Sequence, residues 1–455
     1  MPGRIEFTLD FKAVQPGGSP HSETCRLYLL GDFSGHNDTP PIERKIRKID
    51  CDGFELVMAE INSTLALGGG KSLAFTSLDA FHPDRLIQHI PILTELLQLR
   101  REICNPQPAE SAAAKIQAFL PSTAASDAAA DDTPSRESDD DTLLRLLGKK
   151  PESPVAASTS VDQWLNRLIA PHVSKAHAPQ HQVLLTAIDA ALSQYLRQLL
   201  HREDFQALEA LWRAVDGLVN DEAADSQEIY LVDINRAELT CNSYREQLTK
   251  RLLQHMASSD GEQEFLIVGD FLITDDQEDI ELLAFFSQLA RHCTGRFIAA
   301  AEQALLDRYA LSEQCRNPQW LEALATIDSD CVILAYPRYL LRLPYGRKRD
   351  PIETFEFDEC PALPAPDQLL WGNSALLCAR ALIRAKTGSS SMAAMSFADT
   401  ASFAFDSSGE QCLQPGTETV LTEAQANALL EQGITPVIGF RQRQGVRLAG
   451  MTSLA

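Results

Sequence analysis

Short apolar runs alternating with longer amphipathic segments constrain this chain more than any other feature. Glu228-Ile-Tyr-Leu-Val-Asp-Ile234, Phe265-Leu-Ile-Val-Gly-Asp-Phe271 and Arg296-Phe-Ile-Ala-Ala300 are the length of strands and too apolar to face water on either side. Ile280 to Cys293 between them repeats apolar residues at helical spacing. Strands buried on both faces need helices to cover them, so the expected fold class is α/β (α+β).

Val183 to Val219 is predicted helical. Within it Phe205, Leu208, Leu211, Trp212, Val215 and Leu218 recur at three- and four-residue steps, which gathers them on one face. Such a stripe packs a core, and Phe205, Leu208 and Trp212 are expected to anchor one. Thr422 and Gln425 make a capping box, and Gly433 a helix stop.

The first hundred residues carry a second α/β pattern. Ile5, Phe7, Leu9 and Phe11 alternate with polar residues, the period of a half-buried strand. Cys25 to Leu30 predicts another strand, running into the polar turn Gly31-Asp-Phe-Ser-Gly35. Ile42 to Ile49, Phe54 to Ile61 and Lys71 to Thr76 are read as further strands, and Pro83 to Cys104 as a helix. From Pro106 to about Ser160 the chain is rich in Ala, Ser, Pro and Asp. That composition buries too little apolar surface to offset ordering entropy and predicts a disordered acidic linker. Asp141 to Gly148 inside it is a short amphipathic turn, either a docking peptide or a helix stub. Trp164 to Ile169 is predicted helical. The expected division is 1–106, a linker over 107–160, and 161–455.

A net charge of −23 repels nucleic acid and anionic lipid at long range. No apolar run is long enough to span a bilayer, and the start lacks a secretory signal, so a cytoplasmic protein without membrane insertion is expected. The 10 cysteines include no Cys-x-x-Cys pair, which favours reduced thiols over a disulfide or zinc framework.

Candidate chemistry is thin. Gly68-Gly-Gly-Lys-Ser72 lacks the leading glycine of a phosphate loop, since Leu65 stands there, and reads as a hairpin turn. His172, His177 and His181 are interrupted by Pro179 and read as a solvated loop rather than a metal site. Asp275, Asp276, Glu278 and Asp279 are read as exposed acids capping the helix near Ile280. No Gly-x-Ser-x-Gly elbow supports a serine hydrolase. Arg342, Arg347, Lys348 and Arg349 form a basic patch, expected to meet a complementary protein or the chain's own acidic segment Glu353 to Glu359. No catalytic, cofactor-binding or metal residue is assigned, and no enzyme is expected.

Several strings resemble a known family. Leu-His-x-x-x-Phe-Gln-x-Leu-Glu-x-x-Trp-Arg around Phe205, then Val268-Gly-Asp-Phe, Tyr336-Pro-Arg-Tyr-Leu-Leu-Arg-Leu-Pro-Tyr-Gly346, Phe355-Glu-Phe-Asp-Glu359 and Leu370-Trp-Gly-Asn373, are similar to the large subunit, TssC or VipB, of the type VI secretion contractile sheath. Leu-x-Leu-Leu-Gly-Asp-Phe-Ser-Gly, Ile-Glu-Arg-Lys and Ala80-Phe-His-Pro-Asp-Arg resemble the small subunit, TssB or VipA. The chain thus resembles a fusion of both. Three departures stand out: Glu203 where the family usually has Pro, a shortened Thr387-Gly-Ser-Ser-Ser391 stretch, and an end at Ala455 where the family continues into a linking segment. The resemblance implies a structural sheath subunit that assembles around an inner tube and contracts. Strand addition through Ile5, Phe7, Leu9 and Phe11 would join protomers. Arg338, Arg342, Pro344 and Trp371 are expected as further structural anchors. Other protomers, inner tube or baseplate proteins and a recycling AAA+ ATPase are the implied partners. The early end raises the alternative of a non-polymerising cap or baseplate regulator.

Overall fold

The computed structural model describes residues 24–104 and 181–454, apart from 36–38, 42, 69, 258–263, 307–319, 321, 323–326, 348–349, 390, 408–409, 415 and 442. The Ile5, Phe7, Leu9 and Phe11 segment, the linker with Asp141 to Gly148, Trp164 to Ile169, His172 and His177 lie outside the described residues. Two compact units divide the chain: Met1–Leu86, Gln198–Ile352 and Phe357–Ala455 form the first, and Ile87–Arg197 with Glu353–Glu356 the second.

The first unit is α/β. Its main sheet runs β11-β15-β14-β8-β7-β6-β1-β5-β2. These are β1 Cys25–Gly31, β2 Arg47–Ile49, β5 Glu228–Asp233, β6 Glu264–Ile273, β7 Arg296–Ala301, β8 Val332–Tyr336, β11 Ser396–Phe397, β14 Ile434–Gly439 and β15 Val446–Leu448. From β5 across to β14 every neighbour is parallel, and only the outer strands β2, β15 and β11 pair antiparallel. Parallel strands need both faces covered. Accordingly the side chains of Ile229 to Asp233, Leu266 to Gly269, Phe297 to Ala301 and Val332 to Tyr336 are buried without alternation.

Strand β1 comes from the first hundred residues, yet it lies in the middle of this sheet. Leu29 pairs with Leu231 of β5 on one side and Val268 of β6 on the other. Segments on either side of residues 105–180 therefore share one sheet. The start of β1 is held by Gln227, whose Oε1 accepts from the Cys25 amide at 2.6 Å. The outer edge is short and charged. Glu228 of β5 accepts from Arg26 of β1 at 2.5 Å and from Lys48 of β2 at 3.0 Å, a cross-strand ladder that discourages further pairing there.

Local chemistry accounts for where the sequence expectations shift. Phe54–Ile61 is a helix, α1, not a strand. Phe54 and Met58 bury together at a four-residue step, the Asp50 carboxylate caps the Gly53 amide at 2.7 Å, and Asn62 ends the helix in the left-handed region. Of Ile42 to Ile49, only Arg47–Ile49 is strand. The predicted 83–104 helix is two, α2 Pro83–His89 and α3 Pro91–Cys104, because Pro91 has no N–H to continue the ladder and suits a first turn instead. Likewise 183–219 divides into α4 His181–Leu200 and α5 Glu203–Val219. Arg202 between them is extended and bonds Asp204 and the Ala66 carbonyl. The 68–72 glycines turn the hairpin of β3 Ser63–Gly68 and β4 Lys71–Phe75, with Gly68 and Gly70 at positive φ. The Thr422–Gln425 capping box and the positive φ at Gly433 are present.

In the second unit α3 buries Leu93, Leu96, Leu97 and Ile103. The matching part of α4 buries Leu184, Ile188, Leu192 and Leu196. Arg100 of α3 pairs with Asp189 of α4 at 2.6 Å.

If β1 is integral to the sheet, Leu29→Ala costs about 3 kcal/mol. Hydrogen exchange should then show protection falling together at the amides of β5 and β6. Loss confined to β1 would contradict its central place.

Candidate structural site of the signature strings

Helix α5 is positioned first by packing. Trp212 is fully buried, its ring set edge-on to Phe33 at 5.4 Å and Phe54 at 5.8 Å. Its indole Nε1 donates to Ser63 Oγ at 2.9 Å. Phe205, also fully buried, meets the stacked pair Phe75 and Phe81, and Leu208 is buried beside it.

One residue on this apolar stripe is charged. Glu209, four residues after Phe205, has no exposed surface. Burying a lone carboxylate costs several kcal/mol, so a partner must reach it. That partner is Arg342, in the 336–346 strap. Its guanidinium forks onto Glu209 at 2.7 and 3.2 Å and onto Glu359 at 2.8 and 3.3 Å. Arg213 adds a bond to Glu209 at 2.7 Å and one to the Tyr345 hydroxyl at 3.2 Å. Glu359 accepts from the Tyr345 amide at 2.8 Å, and Arg342 lies over the Tyr345 ring at 4.3 Å. Three separate signature strings thus converge on one buried ion cluster.

Its electrostatics follow from that geometry. Burial works against the charge on Arg342, yet Glu209, Tyr345 and Glu359 outweigh it and hold the guanidinium well above its ordinary value. For Glu359 burial pushes upward, but Arg342, together with His201 3.5 Å away and the bond from the Tyr345 amide, draws it below the usual 4.5. A carboxylate depressed in the folded state contributes stability at neutral pH, and that contribution is lost as pH falls through the folded value. Burial raises the Tyr345 phenol to about 12, so it remains a neutral donor and acceptor.

The other anchor residues have partners of their own. Arg338 forks onto Glu418 at 2.8 and 2.6 Å. Pro344 is buried beside Tyr345. Trp371, in β10 Trp371–Gly372, pairs with Leu340 of β9 Tyr339–Leu340 and donates to the Pro366 carbonyl at 2.7 Å. For the basic patch, Arg342 turns inward to Glu359, and Arg347 sits 3.7 Å from Asp358. Lys348 and Arg349 lie outside the described residues.

Of the four acids expected to be exposed, Asp275 and Asp279 are buried. Asp276 stands at the N-cap position of the helix Gln277–His292, without a side-chain capping bond. Asp279 accepts from the Thr274 amide and hydroxyl at 2.8 and 2.7 Å and pairs with Arg236, which explains its burial. Among the described residues, no group of three or more His, Cys, Asp or Glu is placed to hold a metal. None of their helices is long and apolar enough to cross a membrane. The pairing of Arg342 with Glu359 is the internal contact with the 353–359 acidic segment that the sequence offered; Glu209 escaped that reading, although an acid on an otherwise apolar helix face is a legible signal of a buried partner.

Residues 182–455 match the family described as EvpB/VC_A0108, tail sheath N-terminal domain. The chain belongs to the VipB tail-sheath family. Residues 24–122 match a second family, described as type VI secretion system, VipA, VC_A0107 or Hcp2. The chain thus carries a VipA-type match ahead of its VipB-type match. A similar protein is the type VI secretion system sheath protein TssC1 of Pseudomonas aeruginosa, 29% identical over 215 residues, or 42% of this chain. That match spans 43% of the relative's length. In family terms β1 belongs to the VipA-like portion, β5 and β6 to the VipB-like portion, and the Glu209–Arg342–Glu359 cluster wholly to the latter.

Truncating Arg342 to Met leaves two buried carboxylates without their cation and costs about 3–5 kcal/mol. Arg342→Lys loses the double fork and recovers only part of this. Replacing all three, with Glu209→Leu, Arg342→Met and Glu359→Leu, restores most of the stability. Urea denaturation of the four proteins checks the order. A single Arg342→Met as stable as the parent would contradict the cluster's role.

Proposed function

We propose that this protein is a structural subunit of a type VI contractile sheath, non-enzymatic and cytoplasmic, which assembles around an inner tube and contracts to propel it. The observation that best supports this is the presence of both sheath-type matches in one chain, with their strands paired in one sheet. A subunit that carries force needs strands and helices that do not slide. Parallel strands buried on both faces and a desolvated ion cluster are fitting devices, since neither shifts register without exposing apolar surface or charge.

In this reading protomers join by strand addition through Ile5, Phe7, Leu9 and Phe11, which supplies main-chain hydrogen bonds for affinity and alternate side chains for register. Other sheath protomers are the first partners. Inner tube, baseplate proteins and a recycling AAA+ ATPase complete the proposed set. Fusion fixes the two subunit types at one to one, because the tether raises their effective concentration to about the millimolar range.

Electron microscopy of the purified protein tests the reading. Tubes or rings are expected, and persistent monomers at high concentration would instead support a cap or baseplate regulator. Phe7→Asp with Leu9→Asp should abolish the assemblies while leaving the thermal melt of the monomer unchanged. Undiminished tubes from that variant would remove strand addition from the account.

A further inference from the structure

A crevice of about 370 Å³ opens at the carboxyl ends of β5, β1 and β6, three adjacent parallel strands. In open α/β sheets such crevices are where ligands settle. Its walls are largely apolar, with Leu65, Leu208, Leu211 and Phe271 among them, and its polar groups include Asp32 and Asp270. Each acid follows a glycine at or near a strand end: Gly31-Asp32 after β1 and Gly269-Asp270 within β6. Gly31 lets α5 come close to the end of β1; a Cβ there would stand 2.9 Å from Leu211.

The cations around the crevice are already held by other acids. Arg236 is held by Asp279 and the Leu272 carbonyl. Asp204 pairs with Arg202, Arg44 with Glu238 and Asp233, and Arg338 with Glu418. Asp32 accepts from the Gly35 amide and Asp270 from Asn373, while Arg44 and Arg338 draw on them only at longer range, each being in contact with other acids. Burial, and for Asp32 the neighbouring Asp233, raises both carboxyls to about 6. A desolvated carboxylate without a cation is unfavourable, and a cation arriving with an apolar stem would relieve it while covering the walls.

We propose that this crevice binds an alkylammonium group, its stem against Leu65, Leu208, Leu211 and Phe271 and its head between Asp32 and Asp270. The head comes from a free amine or from a lysine side chain of another protein; the chemistry is the same. Binding is independent of the sheath reading.

Calorimetric titration of the full chain with n-pentylammonium chloride at neutral pH tests it, with n-pentanol as the uncharged probe of equal stem. Saturable binding of the ammonium alone is expected, weakened about tenfold or more by either Asp32→Asn or Asp270→Asn. Lowering the pH below 6 should weaken binding in the parent as the carboxyls protonate. Nα-acetyl-lysine methylamide separates the sources: binding as tight as pentylammonium assigns a partner's lysine, and rejection assigns a free amine. Absent saturation, equal affinity for pentanol, or undiminished binding in both variants overturns the proposal. The variants should fold. A carboxyl raised in the folded state favours folding below its unfolded value near 3.8 and opposes it as pH climbs to about 6, so both amides should raise the neutral-pH melting temperature. Should a variant misfold nonetheless, the parent's pH dependence and the pentanol control still decide.

Discussion

The pairing of β1 with β5 and β6 is the contact on which the rest depends. It places a strand from near the start of the chain between two strands drawn from beyond residue 200. Backbone N–H and C=O groups on both edges of β1 are satisfied by that placement. Without it, two strand edges in an apolar layer would lose their partners at once, a cost that side-chain packing elsewhere does not offset. The consequence is architectural: the VipA-like and VipB-like portions both contribute strands to one sheet, so that sheet cannot be assigned to either portion alone.

Around this sheet the ion cluster fixes what packing leaves free. Apolar contacts hold α5 against Phe33, Phe54, Phe75 and Phe81, yet apolar contacts alone are tolerant of small slides. Glu209 and Arg342 remove that tolerance, because a shift of α5 relative to the strap would separate buried charges. Buried pairs add little net stability, so their use here is registry. Glu359 extends the same constraint to the segment after the strap.

Much of this was legible in the sequence where local periodicity decides. The strands at 228–233, 264–273 and 296–301 follow from their apolar runs, and the buried face of α5 from its three- and four-residue steps. Phe54–Ile61 misled because Phe54, Leu56, Met58 and Ala59 satisfy either period loosely; the Asp50 cap and Asn62 stop decide for helix. The place of β1 was not legible, since nothing in Cys25 to Leu30 specifies neighbours some 200 residues away. For Arg342 the pairing with the 353–359 acidic segment was legible, but not its second partner Glu209, an acid on the oily side of its helix.

The most direct test of the shared sheet is to cut the chain and see whether it holds. A specific protease site inserted within residues 107–160, cleaved in the purified protein, separates the two portions covalently but should leave β1 between β5 and β6. The account predicts that the fragments co-elute on native size exclusion and part only in denaturant. Fragments that separate under native conditions, with the larger one keeping its fold, would contradict it.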